Sequence, residues 1–109
     1  MANYIFIETR DPFDSRDTRF VEETAAALKN RRNNVTVFLT QNGVFAWRRK
    51  SDDPYLSSLI KAGVKLLADD FSLSERGIRS EELHEGVRPA SIEALVEELV
   101  QPDTKAIWH

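Results

Sequence analysis

The sequence predicts an α/β fold, a three-layer α/β/α arrangement around a mainly parallel sheet of about five strands, flavodoxin- or Rossmann-like in layering. Three observations predict it. Short apolar, β-branched runs alternate with longer segments of helical periodicity, the pattern of strand–helix–strand crossovers. The first run, residues 3–8, is almost unbroken in its apolar middle, as in a strand covered on both faces. The links between runs are short, which suits parallel neighbours joined by crossovers. The 109 residues fit one domain over 1–109, large enough for a layered core but with little margin.

Taken in order, residues 3–8 are the first strand, and Pro12 prevents it from continuing as a paired element. Asp14 or Ser15 caps a helix over residues 16–32, whose stripe is Phe20, Val21, Ala25 and Leu28. Arg31 and Arg32 suit its C-terminal end. Asn33 and Asn34 turn into a second strand at 35–40. Gln41, Asn42 and Gly43 then make a strand-to-helix corner rather than a hairpin, because no alternating strand follows. A helical piece over 44–50 precedes a helix opened by a cap in residues 51–53 and by Pro54. Leu56, Leu59 and Ile60 face inward, and Gly63 ends it.

The third strand, residues 64–68, runs into an acidic corner, Asp69 and Asp70. Ser72-x-x-Glu75 has capping-box spacing, and Gly77 suits the left-handed position that stops a short helix. Ser80, Glu81 and Glu82 begin a helical turn that Gly86 ends, and Val87 with Arg88 form a short fourth strand. Pro89 leads into a helix with the stripe Ile92, Leu95, Val96, Leu99 and Val100, closed by Pro102. Residues 104–108 are the last strand.

Hydrophobic residues make up 41% and charged ones 30%, an ordinary globular composition. A net charge of −3 argues against a general nucleic-acid or anionic-membrane binder. No run is apolar enough for a membrane span or a signal-peptide core, so the chain reads as cytoplasmic. It has no cysteine, which removes disulfides, thiolate metal sites and persulfide chemistry together.

In a parallel sheet the loops leaving the strand carboxyl ends share one edge. That makes neighbours of the loops at 9–14, 41–43 and 69–72. Asn42, Gly43, Asp69, Asp70, Ser72 and Arg76 are the candidate ligand-binding residues, with backbone N–H groups near Ser72 available to a small anion. The structural reading of the same residues is a cap, a turn and carboxylates beside a helix dipole. No catalytic residue, metal site or cofactor is assigned. His84 among Glu81, Glu82 and Glu85 reads as a solvated acidic face, and His109 has no second histidine cluster to join. Trp47 with Arg48, Arg49 and Lys50 is a basic run with an aromatic neighbour, read as an exposed helix end before an RNA contact.

The run Ala68-Asp69-Asp70-Phe71-Ser72-Leu73-Ser74-Glu75-Arg76-Gly77-Ile78 resembles the region after the third strand in the DsrE/DsrF-like family, where the pattern is Ala-Cys-x-x-Ser-Leu-x-x-Arg-Gly-Ile. Asn42-Gly43-Val44 and Leu83-x-x-Gly86-Val87 extend the likeness over most of the chain. That family includes small sulfur-relay proteins, among them TusD-type subunits that pass sulfur toward tRNA modification. Asp69 stands where active relatives have the sulfur-carrying cysteine. The resemblance implies a DsrE-like domain acting as a non-catalytic, oligomeric binding or scaffold subunit linked to sulfur-relay metabolism. It implies a homo-oligomer (dimer, trimer or hexamer) and a relay partner protein, which in one version supplies the cysteine in trans. The alternative is a small-ligand-binding protein or enzyme using the carboxyl edge around Asp69, in a pocket bounded by Asn42, Asp69 and Arg76.

Overall fold

The computed structural model describes residues 2–47 and 54–109. Five strands, β1 (Asn3–Glu8), β2 (Asn34–Leu39), β3 (Lys65–Asp69), β4 (Val87–Ala90) and β5 (Thr104–Trp108), form one sheet in the order β4-β3-β2-β1-β5. Every pairing is parallel, from Phe6 beside Val37 and Ile107 in the middle to Leu66 beside Val87 at one edge. The helices are α1 (Thr18–Asn30), α2 (Pro54–Ala62), α3 (Asp70–Glu75) and α4 (Ile92–Leu99), with short 3-10 helices at Gln41–Trp47 and Ser80–Glu82.

The strand order explains the layers. From β1 to β4 the chain steps repeatedly toward one edge, and right-handed crossovers put all of those connections on the same face. There Val21 and Ala25 of α1, Val44 and Ala46, Leu59 of α2 and Leu73 of α3 pack on Phe6, Val35, Val37, Leu39, Leu66 and Ala68. The last step returns past β1 to its other side and so crosses the opposite face. Among the described residues that face has only α4 over it, with Leu95 on Ile5, Ile7, Phe38 and Leu67. Chain order therefore reverses at β1.

Several sequence expectations need correction. Neither Asp14 nor Ser15 caps α1: the cap position is Asp17, whose carboxylate makes no capping bond and instead accepts from Arg10 Nη1 at 2.6 Å. Phe20 is exposed, rotated off the Val21–Ala25 stripe toward the β5 end of the sheet. Ser72 does not open α3. The helix begins two residues earlier, because the Asp69 carboxylate accepts from the Ser72 N–H and is the cap itself. The turn at Ser80 ends at Glu82, and Gly86 belongs to the turn before β4. Pro89 lies inside β4, where an edge strand tolerates its missing N–H, and Ser91 caps α4. Of the predicted α4 stripe only Leu95 is buried, while Ile92, Val96 and Val100 are exposed. Gly63 and Gly77 do end α2 and α3, each with positive φ, at 84° and 65°. The expected cap in 51–53 and the basic run at 48–50 lie outside the described residues.

Candidate functional site

The carboxyl ends of β1, β2 and β3 bring the predicted site residues to one edge. Asp69 is the last residue of β3 and is buried. Its Oδ2 accepts from the Ser72 N–H at 3.1 Å, from Ser72 Oγ at 2.6 Å and from Thr40 Oγ1 at 3.3 Å. Ser72 Oγ in turn accepts from the Gln41 N–H at 2.8 Å. The β2 and β3 loops are thus stitched through one carboxylate and one hydroxyl, both buried. Buried polar groups of this kind need their partners, and here they have them.

Arg76 closes the outer side. Its Nε and Nη2 both donate to Asn42 Oδ1, at 3.2 and 3.1 Å, and its guanidinium lies 5.8 Å from the Phe45 ring centroid. Asn42, Asp69, Ser72 and Arg76 therefore come together as one connected group. Asp70 does not join it: adjacent to Asp69 in sequence, it points out from the first turn of α3 and is exposed. The Ser72 N–H, expected to be open to an anion, is taken by Asp69. Gly43 serves packing. A Cβ there would lie 2.5 Å from the Glu8 carbonyl oxygen, so only glycine lets the β2 loop approach the end of β1.

The sequence reading missed two residues at the same edge, Glu8 and His109. Glu8, the last residue of β1, is 0% exposed. Both its carboxylate oxygens face His109 Nδ1, at 3.0 and 2.8 Å. His109 is carried there by β5, whose final backbone bonds run from the His109 N–H to the Ile7 carbonyl and from the Thr9 N–H to the His109 carbonyl. Phe20 of α1 lies beside the imidazole, ring centroids 5.8 Å apart. Burial pushes the Glu8 carboxyl above its usual range, and the hydrogen bond and positive character of His109 pull it part of the way back. The one available signal was a carboxylate closing an otherwise apolar strand.

Elsewhere, His84 Nδ1 accepts from the Gly86 N–H at 3.1 Å, and no cluster of three metal-ligating side chains occurs among the described residues. An open groove of about 920 Å3 lies under α4 at the amino ends of the strands, lined in part by Asn34, Lys65, Arg88, Glu97 and Glu98. None of the predicted site residues lines it. No helix among the described residues is long and apolar enough to cross a membrane.

The sequence profile of the DsrE/DsrF-like family matches residues 2–104. No curated protein matches by sequence. Among solved structures, the chain is similar to the YchN protein of E. coli, with 19% identity, full coverage of both chains and a TM-score of 0.87. It is similar to MTH1491 of Methanobacterium thermoautotrophicum, a protein of unknown function, with 21% identity, full coverage of both and a TM-score of 0.83. BT1422 of Bacteroides thetaiotaomicron, also of unknown function, gives 17% identity and a TM-score of 0.72, over 98% of this chain and 94% of that one. At these identities the structures speak for the fold.

Proposed function

The chain belongs to the DsrE/DsrF-like family, and on that premise we propose that it is a cytoplasmic binding subunit that carries no sulfur itself. It acts as one domain, assembles with copies of itself, and engages a sulfur-relay partner at the carboxyl edge. The observation that carries this reading is the state of Asp69. In the position where the family pattern has its cysteine, this chain has a carboxylate committed to capping α3 and to holding Thr40 and Ser72. A carboxylate cannot accept and hand on sulfane sulfur reversibly, and the chain has no cysteine to do so in its place.

The test is transfer of labelled sulfane sulfur from a persulfide donor. The purified protein alone is expected to take up none, and Asp69→Cys is expected to take up label. Uptake and release by the unmodified protein would overturn the proposal. Light scattering and a pull-down address the other half: a monomer that retains no partner would leave the binding role without support.

A small-ligand site at the same edge is the second reading, favoured by the Arg76 guanidinium held over Phe45 by Asn42. It predicts a ligand lost on Asp69→Ala while the fold persists; a ligand retained by that variant would eliminate it.

A further inference from the structure

Glu8 and His109 meet where strand order reverses, at the carboxyl ends of β1 and β5. In open α/β sheets that reversal is where ligands bind. A glutamate with no exposed surface is costly to keep there. The fold nevertheless surrounds it and sets both its oxygens against one ring nitrogen, with the Thr9 backbone and the Arg10 charge also nearby. Nδ1 faces the wholly buried carboxylate, while 18% of the His109 side chain is exposed. Glu8 engages Nδ1, so Nε2 is the ring nitrogen that this carboxylate leaves to another partner. In the neutral ring, donation of Nδ1–H to Glu8 leaves the lone pair on Nε2, a tautomer fixed by the bond on the opposite nitrogen.

We propose that Glu8 and His109 form a proton-accepting dyad for a thiol brought to this edge, His109 receiving the proton and Glu8 positioning the ring. A thiol, with an ordinary pKa of about 8.5, is acidic enough to yield its proton to an imidazole. An alcohol is far less acidic and keeps its proton. In the step, the S–H bond breaks, the proton moves to Nε2 and the electron pair stays on sulfur. The imidazolium that forms is offset by the Glu8 carboxylate, and no oxidant or reductant is consumed. Phe20, half-exposed beside the ring, offers the sulfur an aromatic contact. The chain has no cysteine, so the thiol belongs to another molecule. Only its assignment to a partner protein rests on the function proposed above.

The experiment uses the full chain labelled with 15N and titrated with benzyl mercaptan in mildly alkaline buffer. Two signals are read: the His109 ring nitrogens, and the ultraviolet absorbance of thiolate. The free protein is expected to show Nδ1 protonated and Nε2 bare, and the thiol to give a saturable thiolate signal while Nε2 gains a proton. His109→Gln is expected to abolish that signal. Glu8→Gln, which keeps a hydrogen-bond acceptor for Nδ1, is expected to cut the thiolate fraction about tenfold, one pKa unit. Phe20→Ala is expected to weaken binding about two- to tenfold. An Nε2-protonated ring in the free protein, or His109 resonances unmoved by the thiol, would overturn the dyad even if the variants fail to fold. So would a thiolate signal that survives in a folded His109→Gln. A cysteine peptide and its serine counterpart locate the source: engagement of the cysteine peptide alone assigns the thiol to a protein, and engagement of benzyl mercaptan alone to a small molecule, and either supports the dyad. A dyad that works while the pull-down is empty would sink the partner reading and leave this one standing.

Discussion

At Glu8 the physics of a single carboxyl sets a pH dependence. Its folded value is raised by burial, so the folded chain holds the proton more tightly than the unfolded one. The stability this confers is complete below about pH 4.5, the ordinary value, and is lost as pH rises through the folded value. Glu8→Gln is expected to remove that decline, so that urea midpoints of the variant change less between mildly acidic and neutral pH than those of the parent. Asp69 makes the opposite kind of contribution, a cap rather than a cost. Asp69→Ala is expected to lose about 2 kcal/mol, because the α3 cap, the buried Ser72 hydroxyl and the half-buried Thr40 hydroxyl lose their acceptor together. Asp69→Asn still caps and is expected to lose under about 1 kcal/mol by the same urea measurement. The grouping of Asn42, Asp69, Ser72 and Arg76 was legible in the sequence because parallel strands must end at one edge. The Glu8–His109 pair was not. It joins residues 101 positions apart and depends on β5 docking beside β1, a choice that alternation of strands and helices leaves open.

Among elements, the short ones carried the ambiguity. Asp69 and Ser72 are both good caps three residues apart, and spacing alone favoured the box at Ser72. The carboxylate won because the strand delivers it at the helix start with extended geometry, φ −60° and ψ 118°. The strands were legible almost to the residue, since a run such as Tyr4-Ile5-Phe6-Ile7 has few other uses. The loops that follow them are tighter than composition suggests. Gly43→Ala is expected to destabilise by more than about 2 kcal/mol, because its Cβ meets a backbone carbonyl that cannot swing away. Gly77→Ala meets nothing within 4 Å and should cost about 1 kcal/mol, from its left-handed backbone alone. Chemical denaturation of the two variants side by side checks the order.

For the whole molecule the unequal cover of the two faces matters most. Among the described residues one face carries the α-helices α1, α2 and α3, the other a single helix of eight residues, about 12 Å long. Ile92, Val96 and Val100 line the outer side of α4, and Trp108 stands exposed on the same sheet face as Ile7. The helical stripe was visible in the sequence, but amphipathic spacing does not say whether the apolar side meets its own sheet or another surface. Val96→Lys is expected to leave the monomer fold intact and, if copies meet on this face, to shift sedimentation toward the monomer. Unchanged sedimentation would place any assembly elsewhere.

The two margins of the sheet limit how copies can meet. Pro89 within β4 withholds an amide hydrogen from any newcomer, and Lys105 lies within β5. Both are devices that discourage a foreign strand from zipping onto an open border. Ribbon growth from molecule to molecule is thereby blunted at each end, so clustering of this protein should produce closed, countable particles and not fibres.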